Sequence, residues 1–144
     1  MNTKKSKERI LFICTNNSAR SQMAEGYLNH AYGDYYEVYS AGTEPTTVNP
    51  YAIKVMKEID IDIFSHSSKS IKEFESMEFD HVITVCGGAD QACPFFLGGK
   101  KYTHKGFKDP ACVKGDEKEK MRVFREVRDE IIMWILTNLE NNLI

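Results

Sequence analysis

The sequence predicts one α/β domain in three layers, a four-stranded parallel sheet flanked by helices. Three observations carry that expectation. Ile10, Leu11, Phe12 and Ile13 form an unbroken apolar run, and Val82, Ile83, Thr84 and Val85 form a second run interrupted only by Thr84; such short runs read as strands buried on both faces. Amphipathic stretches with helical spacing separate and follow them, and alternating strands and helices imply parallel pairing through right-handed crossovers. The length, 144 residues, suits a single core. Residues 1–8 are expected to be a flexible tail and residues 9–144 one catalytic domain.

The first strand, residues 10–13, ends at Cys14. Residues 15–19 form a short polar bridge, and from Arg20 the residues Met23, Ala24, Tyr27, Leu28 and Ala31 recur on one helical face. Gly33-Asp34 marks a turn before a second strand over residues 36–41. After a loop at 43–49, Pro50 suits the first position of a helix, with Ala52, Ile53, Val55, Met56 and Ile59 as its inner face. Residues 60–68 connect, with Ile61 and Ile63 turned inward, to a short helix at 70–74. The third strand covers 81–85 and ends at Cys86. A glycine-rich segment over 87–99 holds Cys93, a weak fourth strand lies at 101–104, and a last helix runs over 116–141. Its apolar stripe is Met121, Phe124, Val127, Ile131, Ile135 and Leu139.

The chemistry concentrates where the first strand becomes the first helix. A loop entering a helix N-terminus gathers unpaired backbone N–H groups into a concavity suited to a tetrahedral oxyanion. Thr15, Asn16, Asn17, Ser18, Ala19, Arg20 and Ser21 are therefore the expected oxyanion-binding residues, Arg20 adding a planar bidentate donor. The same positive field favours the thiolate of Cys14, which is placed for in-line attack on a bound oxyanion. A lone cysteine at a strand end is more often a small hydrophobe; the Cys-(five residues)-Arg-Ser context between strand and helix favours the nucleophile.

Cys86 and Cys93 are seven residues apart, roughly 10.5 Å of rise on a regular helix. A disulfide needs Cα atoms within about 7 Å, so bridging them requires the segment to unwind or loop out, which Gly87, Gly88, Gly98 and Gly99 allow. With Cys14 they suggest a three-thiol relay, but spacing alone equally allows two inert packing thiols. Asp109, before Pro110, is a candidate general acid, although an Asp-Pro pair by itself is usually a turn.

The net charge of −2 offers no reason to expect nucleic acid or a membrane as partner. No signal peptide or transmembrane run is evident, so a cytoplasmic enzyme is expected. In that compartment the four cysteines read as chemistry rather than structural bridges, and they lack the paired spacing of a structural zinc site.

The sequence at 14–26, Cys-Thr-Asn-Asn-Ser-Ala-Arg-Ser-Gln-Met-Ala-Glu-Gly, resembles the oxyanion loop of the thioredoxin-coupled arsenate reductases, a family built on the low-molecular-weight protein tyrosine phosphatase fold. The resemblance continues in Tyr-Ser-Ala-Gly-Thr at 39–43, Val-Asn-Pro at 48–50, Val-Cys-Gly at 85–87, Cys93-Pro94, Gly106-Phe107, Asp109-Pro-Ala and Val-Arg-Asp-Glu-Ile at 127–131. It implies that Cys14 is the nucleophile, Arg20 the anion holder, Asp109 the acid, and Cys86 and Cys93 the redox pair. The implied reaction is reduction of arsenate to arsenite, through Cys14–Cys86 and then Cys86–Cys93 disulfides. Thioredoxin is the implied external reductant, no cofactor is bound, and the enzyme acts as a monomer. A phosphatase using only Cys14, Arg20 and Asp109 is the alternative; it calls for an aromatic wall, for which Tyr35, Tyr36 and Tyr102 are candidates.

The chain departs from its relatives at several positions. Asn16 stands at a usual glycine and is expected to tolerate positive φ. Ala19 replaces a frequent cysteine outside the relay. Some relatives hold a potassium ion through an asparagine, a glutamate, a serine and an aspartate; Asn17, Glu25 and Ser40 match, but Lys69 takes the aspartate position and its ammonium is expected to replace the ion. Cys112 is expected to be a bystander.

Overall fold

The computed structural model describes residues 7–86 and 96–140. Cys93 therefore lies outside the described residues. The sheet comprises β1 (Glu8–Cys14), β2 (Tyr36–Gly42), β3 (Phe79–Thr84) and β4 (Gly99–His104), and the helices are α1 (Arg20–Tyr32), α2 (Pro50–Lys57) and α3 (Glu117–Glu140). Two single-turn 3-10 helices occupy Ile71–Phe74 and Pro110–Cys112. The strands run in the order β2-β1-β3-β4, all parallel.

Boundaries shift where backbone pairing extends beyond the side-chain pattern. β1 begins at Glu8, paired with Tyr36, although Glu8 and Arg9 carry no apolar signal. β3 starts at Phe79, three residues before the run that begins at Val82, and stops at Thr84; Val85 still donates its N–H to Ile13 O at 2.9 Å. β4 gains Gly99 and Lys100. α2 is capped by Asn49, whose side chain accepts from Tyr51 N, with Pro50 supplying the preset first-turn φ. α3 is capped by Asp116, which accepts from Glu119 N at 2.9 Å.

The strand pleat divides the core. Ile10, Phe12, Cys14, Ile83 and Val85 face α1, α2 and α3, where Met23, Leu28, Val55, Met56, Phe124, Val127 and Ile131 are buried. Ile61 and Ile63, on the connector after α2, close the same cluster as expected. Leu11, Ile13 and Val82 face the opposite layer, where Phe74 of the first 3-10 helix packs with Phe79 and Phe96. There Tyr39, Phe74 and Phe96 set their rings edge-to-face around Phe79 or one another at 5.5 to 6.0 Å. Each such fully buried Leu, Ile or Phe contributes about 1.5–3 kcal/mol. β1 therefore stands rigidly between two apolar layers, and its C-terminal end is a fixed platform.

The order of strands decides where the platform leads. The chain leaves β1 toward β2 on one side, and β3 returns on the other, so the crevice at the C-terminal ends of β1 and β3 is the topological switch point.

Candidate active site

At the end of β1 the backbone folds into a loop around Cys14 Sγ. Its outward carbonyls are taken by the connector that follows β2: Thr15 O accepts from Glu44 N at 2.8 Å, Asn16 O from Thr46 N at 3.3 Å, and Ser18 O from Asn49 N at 2.9 Å. In a trans peptide the N–H points opposite to the C=O. The amides of Asn16, Asn17 and Ala19 are thereby turned inward, and Asn17 N–H donates to Cys14 Sγ at 3.2 Å. Gly42 permits this approach, because a Cβ there would lie 2.5 Å from Thr15 O.

Asn16 is expected to tolerate positive φ; in the loop it is Asn17 that adopts it (φ 48°). The reason lies in the partners of the Asn17 side chain. Its Oδ1 accepts from Lys69 N at 2.8 Å and Gln22 Nε2 at 3.0 Å, and its Nδ2 donates to Ser21 Oγ at 2.8 Å and Ser40 Oγ at 2.9 Å. Four bonds to one buried amide hold a strained residue in place. Ser21 Oγ lies 2.8 Å from Cys14 Sγ. Since Ser21 already accepts from Asn17, its own hydrogen is available to the sulfur.

Cys14, Asn16, Ser18, Ala19, Arg20, Thr46, Asp109 and Ala111 line a cavity of ≈ 70 Å³. Four of the seven expected oxyanion residues thus line it, while Thr15, Asn17 and Ser21 support it from behind. Thr46 and Ala111 were not singled out from the sequence; the only signal was their place in loops flanking motif residues. Arg20 is buried, with Nη1 donating to Phe107 O at 3.1 Å and Nη2 at 3.6 Å from Asp109 Oδ2. Asp109 is fixed by its own turn, its Oδ1 accepting from Ala111 N at 3.0 Å. The fold brings together a thiol, inward amides, a guanidinium and a carboxyl over an ion-sized hollow, a set suited to nucleophilic attack on a tetrahedral oxyanion.

Cys86 is buried just beyond β3. The register pairs Ile13 with Thr84, so Val85 stands opposite Cys14 and Cys86 is one step further out. Adjacent strands and one residue of rise separate such Cα atoms by roughly 6 Å, within disulfide range, but in regular pleat the two side chains would point to opposite faces. Cys14, Cys86 and Cys112 form no disulfide among the described residues. A Cys14–Cys86 bond needs the backbone beyond Val85 to turn.

None of the three tyrosines proposed for an aromatic wall lines the cavity. Tyr35 and Tyr36 sit at the start of β2, six residues and roughly 20 Å of strand from the catalytic end. Tyr102 is occupied on β4, accepting from Gly99 N at 2.9 Å and donating to Phe96 O at 2.5 Å.

Behind the loop, Ser40 donates to Glu25, Lys69 Nζ lies 3.7 Å from Glu25 Oε1 and donates to Ser67 O at 2.8 Å, and His66 Nδ1 lies 3.9 Å from Glu25 Oε2. Gln22 staples this layer to the loop, donating to Asn17 O at 3.2 Å and Ser67 O at 2.9 Å. Its Oε1 faces His66 Nδ1 at 3.0 Å, which makes Nδ1 the protonated nitrogen. The Lys69 ammonium thus lies against the carboxylate of the group formed by Asn17, Glu25 and Ser40. No cluster of three or more His, Cys, Asp or Glu suited to a metal occurs among the described residues. No helix there is long and apolar enough to cross a membrane.

An arsenate reductase of Halalkalibacterium halodurans is 50% identical over 125 residues, covering 87% of this chain and 90% of that protein. A solved arsenate reductase in its phosphate-binding state superimposes with a TM-score of 0.79 at 30% identity, over 93% of this chain and 98% of that one. A thioredoxin-dependent arsenate reductase of Corynebacterium glutamicum matches with a TM-score of 0.66 at 27% identity, over 96% of this chain and 65% of that one. The model for low molecular weight phosphotyrosine protein phosphatases matches residues 9–142, and with the cradle around Cys14 in view the chain belongs to that family.

Proposed function

We propose that this enzyme reduces arsenate to arsenite by a three-thiol relay regenerated by thioredoxin. The observation that carries the reading is a second buried thiol, Cys86, at the end of the strand beside the one bearing Cys14. A phosphatase has no use for it. The relatives named arsenate reductases, one of them thioredoxin-dependent, support the same assignment.

Arsenate enters the hollow against the inward amides and Arg20. The Cys14 thiolate attacks arsenic, Asp109 protonates the departing oxygen, and water leaves. Cys86 then attacks Cys14 sulfur; the S–S bond forms as the S–As bond breaks, and arsenic keeps the electron pair and departs as arsenite. Cys93 attacks Cys86 and frees Cys14, and thioredoxin reduces the Cys86–Cys93 disulfide, itself becoming oxidised. The enzyme acts in the cytoplasm, as a monomer and without a bound cofactor.

Phosphate and arsenate share shape and charge, so the same groups support slow phosphate-ester hydrolysis as a side activity. The deciding experiment follows arsenate-dependent NADPH consumption with thioredoxin and thioredoxin reductase, alongside p-nitrophenyl phosphate hydrolysis. Steady NADPH loss that vanishes in Cys86→Ser is expected. Ester hydrolysis without arsenate-driven NADPH loss would make the protein a phosphatase.

Lys69 bears on salt dependence. With its ammonium against Glu25, replacing sodium by potassium at fixed ionic strength is expected to leave the reduction rate unchanged. Strong potassium activation would count against Lys69 standing in for the ion.

A further inference from the structure

The thiol expected to be a bystander touches the acid. Cys112 closes the 3-10 turn Pro110–Cys112, its N–H donating to Asp109 O at 3.3 Å, and its Sγ lies 3.4 Å from Asp109 Oδ2. That is the carboxyl oxygen facing Arg20 Nη2, whereas Oδ1 is held by Ala111 N.

We infer that Cys112 is a positioning residue, whose S–H holds Asp109 Oδ2 at the mouth of the oxyanion hollow. This rests on the reading of Asp109 as general acid. The need arises from Arg20. To grip an incoming oxyanion, the guanidinium must turn its donors toward the ligand, which loosens its hold on Asp109. The Cys112 thiol then keeps the carboxyl from swinging out to solvent. A carboxyl oxygen has two lone-pair positions, so this contact leaves one for the proton to be transferred. The negative charge of Asp109, followed by its hydrogen bond, pushes the Cys112 thiol pKa up, which keeps it in the S–H form that can donate.

The test is single-turnover arsenite formation without thioredoxin, for wild type, Cys112→Ala, Cys112→Ser, Asp109→Asn and Asp109→Asn/Cys112→Ala. Cys112 is exposed, so its replacement leaves the core intact. Cys112→Ala is expected to lower the saturating rate about three- to tenfold while moving half-saturation by arsenate less than about twofold. Cys112→Ser, which restores a donor, should recover the rate. In the Asp109→Asn background Cys112→Ala should cost nothing further. A wild-type rate in Cys112→Ala, no recovery in Cys112→Ser, or the same factor lost in the Asp109→Asn background would overturn the inference while leaving Asp109 as the acid. A wild-type rate in Asp109→Asn would overturn both.

Discussion

Cys14→Ser is expected to abolish arsenate reduction and any phosphate-ester hydrolysis, a loss on the order of 10⁴-fold or more, the scale seen when an enzyme nucleophile is removed. The physical reason is local. Ser21 and the Asn17 N–H converge on one sulfur, and no other thiol among the described residues lines the hollow. A serine oxygen there would meet the same donors, but at neutral pH it stays protonated and is a weak nucleophile. Because the loop is held by its outward carbonyls and by Asn17 rather than by the sulfur, the variant should still bind the ion. Phosphate is therefore expected to raise the thermal midpoint of the variant and of wild type alike. Retained activity of either kind would remove Cys14 from the mechanism. Lost activity with lost phosphate stabilisation would point to a collapsed loop instead.

Cys93→Ser is expected to release one arsenite per enzyme and then stop, with Cys14 and Cys86 joined. Mass spectrometry of the stalled protein should find two hydrogens missing, and proteolytic mapping should connect the peptides holding Cys14 and Cys86. The first turnover survives because β1 and β3 are neighbours and only the backbone beyond Val85 must turn to bring Cys86 to Cys14. The second should fail because Cys14 and Cys86 are both buried, so a bond between them would be kept from an external reductant. Sustained turnover of Cys93→Ser with thioredoxin alone would show that the first disulfide is directly accessible, and the three-thiol order would be wrong.

Much of this site is legible in the chain because it is local. Cys14 and Arg20 are six residues apart, and the apolar run before them and helical spacing after them place both on one strand-to-helix loop. The expected strands and helices recur in the structure with shifted ends, since side-chain pattern reports burial while backbone pairing runs on into residues such as Glu8 and Gly99. The placing of positive φ at Asn17 has the same origin. Which residue of a loop takes positive φ depends on who satisfies its side chain, and the partners of Asn17 come from Ser40 and Lys69.

The sequence by itself determined the alternation of strands and helices, the cradle beginning at Cys14, and the presence of thiols at the ends of two strands. Their periodicity and spacing act over a few residues, so a linear reading suffices. Only the tertiary structure decided that β3 lies beside β1, that Asp109 comes to Arg20 from far along the chain, that the connector after β2 turns the loop amides inward, and that Cys112 meets Asp109. Those contacts join segments whose proximity is set by strand order and core packing, and no local pattern encodes them.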